Sequence, residues 1–152
     1  AGSLGLEALS RGAASAVFVE RDRRHEKALL ANLQRVLHCL EDAGFSPRTS
    51  VRIADAYTFL GARPPNREPT PDILFADPPY ADCLDDTRVP AWLRSSQFAG
   101  WVGEATLVLE HPIKASLPWH PDGPWQIKRQ KRYGETAVTF ACLGQSTRTT
   151  SG

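Results

Sequence analysis

The chain has 152 residues, 41% of them hydrophobic and 23% charged, a size and balance that favour one domain with a single sizeable core. No apolar stretch approaches the ~18 residues of a membrane helix. Three widely spaced cysteines, Cys39, Cys83 and Cys142, form no Cys-x-x-Cys pair, so the reading is of a cytoplasmic protein with neither a disulfide framework nor a metal site.

At a net charge of +1 the surface as a whole is not cationic, so any polyanionic partner must be held by a local basic patch. The chain opens on Ala1-Gly2-Ser3-Leu4-Gly5, a glycine-spaced loop of the kind that follows a buried strand in nucleotide-binding folds, and it contains no methionine. The expectation is a chain truncated at its N-terminal side, ahead of that loop. Leu4, Leu6, Ala8 and Leu9 predict a short helix over residues 3–11, stopped at Gly12. Residues 16–20, Ala-Val-Phe-Val-Glu, read as a buried parallel strand ending on an acid. Asp22 then caps a long helix whose buried face is Leu29, Leu33, Val36, Leu37 and Leu40, ended by Gly44.

Residues 50–54 read as a strand closing on Asp55, followed by a short helix over 56–60. Pro64, Pro65, Pro69 and Pro71 make residues 61–71 a surface loop. A strand over 72–76 leads into Asp77-Pro78-Pro79-Tyr80, and another over 105–109 ends on Glu110. Strands over 125–130 and 136–142 form an antiparallel hairpin across Tyr133-Gly134-Glu135, and the polar tail, residues 145–152, is expected to be disordered. This order of elements predicts an α/β fold with a mostly parallel sheet and a C-terminal antiparallel hairpin.

In open parallel sheets ligands bind beyond the carboxyl ends of the strands. There Gly2, Ser3 and Gly5 would let the backbone approach a ligand, and Glu20 follows Gly2 by 18 residues, near the spacing at which an acid meets ribose hydroxyls. A carboxylate suits that task because it accepts two hydrogen bonds from a vicinal diol. A plain glycine turn with a solvated glutamate fits the same residues. Asp55 could accept from an adenine amino group and the Ala56 N–H could donate to the ring; an Asp55 that caps the next helix fits as well.

Asp77-Pro78-Pro79-Tyr80 is the sharpest signal. An exocyclic base amine is a poor nucleophile because its lone pair is delocalised into the ring. The Asp77 carboxylate and the Pro78 carbonyl would draw its hydrogens, favour a pyramidal nitrogen and stabilise the charge that develops on methylation. Pro78 and Pro79 stiffen the turn, and Tyr80 offers a face on which a splayed-out base can stack. Two basic clusters could hold a polyanion: Lys128, Arg129, Lys131 and Arg132 beside Tyr133, and Arg21, Arg23, Arg24 and Lys27, diluted by Asp22 and Glu26. A solvated face explains either cluster equally well. Strand alternation would split the first cluster between two faces.

With these residues placed, the chain resembles the bacterial 16S ribosomal RNA guanine-N2 methyltransferases. The resemblance rests on Gly2-Ser3-Leu4-Gly5-Leu6-Glu7-Ala8-Leu9-Ser10-Arg11-Gly12-Ala13, on Val17-Phe18-Val19-Glu20, on Ala28, Leu29 and Asn32, on Asp55-Ala56, and on Asp77-Pro78-Pro79-Tyr80. Towards the end, Leu109-Glu110 and Lys131-Arg132-Tyr133-Gly134-Glu135-Thr136 extend it. It implies a Rossmann-like class I methyltransferase domain over residues 1–144, with S-adenosyl-L-methionine as cofactor and ribosomal RNA or a small-subunit assembly intermediate as partner. A monomer is expected. It also implies a strand ahead of the glycine loop, lying between the strands that end at Glu20 and Asp77. A chain without it should show two unpaired strand edges and an apolar surface beside them. Two other functions fit the same motifs, methylation of adenine N6 and a non-catalytic RNA-binding assembly role.

Overall fold

The computed structural model describes residues 2–62 and 70–144, which fall into two compact units divided between Phe59 and Leu60. The expectation for residues 145–152, and most of the predicted loop over 61–71, lie outside the described residues.

In the first unit, α1 (Ser3–Ser10) enters from Gly2, which takes a left-handed φ of 74°. Strand β1 (Ser15–Glu20) pairs in parallel with β2 (Arg48–Ile53), with Phe18 opposite Val51 and Glu20 opposite Ile53. Between them runs α2 (Arg23–Asp42), capped by Asp22, whose side chain accepts from the Arg24 N–H at 2.8 Å. That hydrogen-bonded carboxylate, paired first with the Arg24 side chain, is held down at a pKa of about 2. Leu9, Phe18, Leu29 and Leu33 form the core, with Val36, Leu37 and Leu40 packed against it, as the helical spacing predicts.

The second unit begins within α3 (Ala56–Gly61) and holds β3 (Ile73–Ala76), β4 (Thr106–Pro112), β5 (Trp125–Tyr133) and β6 (Thr136–Leu143) in the order β3-β4-β6-β5. β3 and β4 are parallel; β6 runs antiparallel to both β4 and β5. Pairing is thus evenly mixed among the described strands, less dominated by parallel ladders than the sequence reading expects. Three short helices that the sequence reading does not assign, α4 (Tyr80–Leu84), α5 (Val89–Arg94) and α6 (Ser96–Val102), link β3 to β4. They contribute Val89, Leu93, Phe98 and Val102 to the core. Phe98 stacks on Trp92 with ring centroids 3.8 Å apart, and the Trp125 indole N–H donates to the Leu93 carbonyl at 2.7 Å.

Strand alternation sorts the sheet of this unit. Leu107 and Leu109 of β4 share a buried face with Ala137, Thr139 and Ala141 of β6. On the same face lies His111, whose Nδ1 bonds the Pro112 carbonyl and whose Nε2 meets the Thr139 hydroxyl at 2.8 Å. Burial holds the His111 pKa below its ordinary value, so the ring is neutral near pH 7, with Nδ1–H donating and Nε2 accepting.

Among the described residues β1 pairs with β2 alone and β3 with β4 alone, so the strands that lead to Glu20 and Asp77 each carry an edge without a ladder partner. Apolar side chains are exposed on both strands, Val17 on β1 and Ile73 and Phe75 on β3.

Candidate base-amine site and its flanking cationic strand

Glu20 and Asp55 stand at the carboxyl ends of two adjacent parallel strands of the first unit. Glu20 is fixed by its own chain: one carboxylate oxygen accepts from the Asp22 N–H at 2.8 Å, and the other lies 3.8 Å from His25 Nδ1. Its side chain is 22% exposed, so an oriented, part-buried acceptor faces outward. That is the acceptor a ribose diol needs. Asp55 takes its capping alternative. Its Oδ1 accepts from the Thr58 N–H at 3.1 Å, opening α3, while Oδ2 lies 3.7 Å from the Arg21 guanidinium. Ala56 is the first residue of α3.

The glycines serve packing first. A Cβ on Gly2 would come within 2.4 Å of Leu29 Cδ1, and one on Gly5 within 2.5 Å of the Phe18 ring. Their bareness lets α1 settle onto β1 and α2. No side chain caps α1, and its first backbone bond runs from Leu6 N to Gly2 O, so the amides of Ser3, Leu4 and Gly5 lack intrahelical acceptors.

In the second unit Asp77 follows the last residue of β3 directly. Each residue before a proline is pushed towards extended backbone, so Asp77 and Pro78 continue the strand direction and Pro79 (φ −52°, ψ 140°) becomes the N-cap of α4. The helix starts at Tyr80, which is 42% exposed and whose hydroxyl hydrogen-bonds the Thr136 hydroxyl. Asp77 is exposed, Pro78 half-buried and Pro79 exposed. The buried Cys83 thiol is pushed up to about 11, by burial first and then by the negative charges of Asp82 and Asp77. It therefore stays protonated near pH 7 and is no nucleophile.

The basic cluster lies on β5, and its register divides it. A bulge between Ile127 and Arg129 leaves Lys128 without a partner across the ladder, and its amine turns to the Gln126 side chain at 3.1 Å. Beyond the bulge Arg129, Lys131 and Tyr133 oppose Phe140, Val138 and Thr136; Gln130 and Arg132 oppose Thr139 and Ala137 on the other face. Arg129 and Lys131 thus share a face with Thr136, the residue that holds the Tyr80 hydroxyl. Arg132 does not. The predicted turn is also shorter than expected: Tyr133 is the last residue of β5, leaving Gly134 and Glu135 as a two-residue turn. Gly134 takes the positive φ of 58° required at its first central position.

Sequence reasoning places the motif and the cations but does not foresee the Thr136 bond to Tyr80. Its trace in the sequence is its place at the end of the Lys131–Thr136 stretch, directly after the Gly134-Glu135 turn. The second cluster divides too: Arg24 is tied to Asp22 at 2.7 Å and Arg21 faces Asp55.

The sequence model of a family described as conserved hypothetical protein 95 matches residues 1–142. Ribosomal RNA small subunit methyltransferase D of Escherichia coli is 33% identical over 139 residues, covering 90% of this chain and 61% of that protein. The protein of the same name from Haemophilus influenzae is 36% identical over 133 residues, with 88% and 62% covered. The chain therefore spans about three fifths of the length of these curated relatives. Among solved structures, yhhF of Escherichia coli, named as a methyltransferase, superposes with a TM-score of 0.69 at 30% identity, covering 95% of this chain and 72% of its own. A Haemophilus influenzae protein named as a methylase gives a TM-score of 0.69 at 25% identity, with 93% and 80% covered.

Proposed function

The chain belongs to the family described as conserved hypothetical protein 95, and from that premise we propose that it methylates the exocyclic N2 amino group of a guanine in 16S ribosomal RNA. The observation that carries this reading is Asp77-Pro78-Pro79-Tyr80 at the carboxyl end of parallel strand β3, with Tyr80 joined to the hairpin whose outer strand bears Arg129 and Lys131. The relatives named for small-subunit ribosomal RNA methylation support the choice of RNA. The partner is that RNA, free or within a small-subunit assembly intermediate.

S-adenosyl-L-methionine, when bound, supplies a methyl group activated on a sulfonium. Glu20 would accept from its ribose hydroxyls, Asp55 and Ala56 would flank its adenine, and Gly2, Ser3 and Gly5 would offer the free amides of the α1 N-terminus. Asp77 and the Pro78 carbonyl would accept the hydrogens of the base amine and direct its lone pair, while the Tyr80 ring would carry the base. Arg129, Lys131 and Tyr133 would meet the RNA backbone on the Thr136 side of the hairpin, with Lys128 and Arg132 more peripheral.

The reading is tested by incubating the full-length protein with 16S RNA and a labelled methyl donor and identifying the modified nucleoside. N2-methylguanosine is the expected product. N6-methyladenosine would move the reaction to another base, and an unlabelled RNA would overturn it.

Two variants probe the parts. Glu20→Ala is expected to weaken cofactor binding by about 1.5–3 kcal/mol, the scale of hydrogen bonds to a charged acceptor. Calorimetric affinity equal to the parent's would remove Glu20 from the ribose site. Neutralising Arg129 and Lys131 together should flatten the dependence of RNA affinity on salt, the logarithmic slope falling by about one for each phosphate that is no longer neutralised. The Arg132→Gln control should leave the slope nearly unchanged; a larger effect from Arg132 would reverse the assignment of faces.

A further inference from the structure

Tyr80 is positioned at both ends. Its backbone follows the extended Pro79 and opens α4, and its hydroxyl reaches across to Thr136, 56 residues further along the chain. Thr136 itself sits on an unusually well-fixed piece of backbone. It is in register with Tyr133 across the two-residue turn and with Pro112 on its other side, and the neighbouring Glu135 carbonyl accepts from the Ile113 N–H at 2.9 Å. The strand that leads into this point, β4, is held to β6 by the buried His111–Thr139 bond, and the Gln130 amide of β5 donates to the same Thr139 hydroxyl at 2.8 Å. The turn is therefore tied to β4 through main chain and side chain alike.

We infer that Thr136 is a positioning residue for Tyr80: its hydroxyl, carried on the hairpin turn, fixes the direction in which the tyrosine side chain leaves α4 and couples that ring to the strand bearing Arg129 and Lys131. A tyrosine has two side-chain torsions, and at an exposed residue such as Tyr80 packing alone chooses weakly between their settings. Anchoring the phenolic oxygen settles the first torsion, which sets where the ring sits, while leaving the ring face open. Because Tyr133, Lys131 and Arg129 lie on the same face as Thr136, RNA docked against β5 and a base laid on Tyr80 are referred to one rigid turn. Orientation of this kind acts on the reacting geometry, since a misplacement of about 1 Å can cost 10²-fold in rate.

The inference rests on the RNA-methylation reading, and its test separates the two. In the full-length protein, Thr136→Val keeps the shape and removes the hydroxyl, Tyr80→Phe keeps the stacking ring and removes the other partner, and Thr136→Ser restores the bond. Each of the first two is expected to lower kcat about tenfold, the effect of one net hydrogen bond at the upper end of its range, with KM for RNA and the melting temperature unchanged. Their combination should lose no more than either alone, and Thr136→Ser should turn over at close to the parental rate. A parent that methylates RNA while Thr136→Val matches it would overturn the positioning role alone. So would an additive double variant, or a loss that follows the melting temperature. A parent that transfers no methyl group to RNA would overturn the functional reading and this inference with it.

Discussion

Replacing Asp77 by Ala is expected to lower kcat by a factor on the order of 10² to 10³ while leaving affinity for the methyl donor within error of the parent. The reason lies in where the charge appears. The base amine begins neutral, and no proton has to leave before its lone pair attacks; positive charge grows on nitrogen as the new N–C bond forms, and one N–H proton departs afterwards. An ionised Asp77, exposed at the end of β3 and stiffened by the prolines behind it, acts on that growing charge and on the direction of the lone pair. Asp77→Asn keeps one acceptor oxygen and much of the shape but lacks the negative charge, so its kcat should fall between those of the parent and the Ala variant. Single-turnover kinetics with saturating RNA would separate this loss from binding. Near-normal turnover in both variants would remove Asp77 from the mechanism, and with it the main support for a base-amine methylation site.

The strands and the long helix were legible because their signals are local. Phe18, Leu74 and Leu107 lie in short apolar runs, rich in β-branched and aromatic residues and bounded by turn signals, and Asp22 followed by the Leu29–Leu33–Leu40 face specifies α2. Residues 80–102 were not legible. They hold helices of 5, 6 and 7 residues, each too short for helical periodicity to emerge from a window of about 11 or more. What replaces the periodic signal there is aromatic density, Trp92, Phe98 and Trp101, and it identifies a core without naming the elements. At the site, Asp77-Pro78-Pro79-Tyr80 could be read because its chemistry is written in four consecutive residues. The Tyr80–Thr136 bond could not, since nothing in a linear sequence joins two positions on different elements. Nor could the bulge at Lys128, which decides the faces of the cations beyond it. Gly2 and Gly5 illustrate a different limit: a glycine needed to admit Phe18 and Leu29 looks in sequence like one needed to admit a ligand.

Phe98→Ala is expected to destabilise the protein by about 3–5 kcal/mol, a large share of the roughly 5–15 kcal/mol that holds a typical domain together. Phe98 is fully buried on α6, stacked on Trp92 and tilted against Trp125 with ring centroids 5.8 Å apart. Trp125 in turn meets Trp119 edge to face at 6.1 Å. Removing the ring takes one member from a connected aromatic cluster, and its neighbours are too large and too constrained to collapse into the space. Trp92 loses its stacking partner, and Trp125 stays pinned by its indole bond to Leu93. The backbone of α6 should survive, because Ser95 accepts from the Phe98 N–H at 3.4 Å and Ala does not disturb that cap. Urea unfolding followed by tryptophan fluorescence should therefore show a much lower midpoint at unchanged slope. Phe98→Leu, which refills most of the volume, should recover more than half of the loss. Equal midpoints for the parent and the Ala variant would mean that α6 is not part of the cooperative core and that the second unit is held together by its sheet alone.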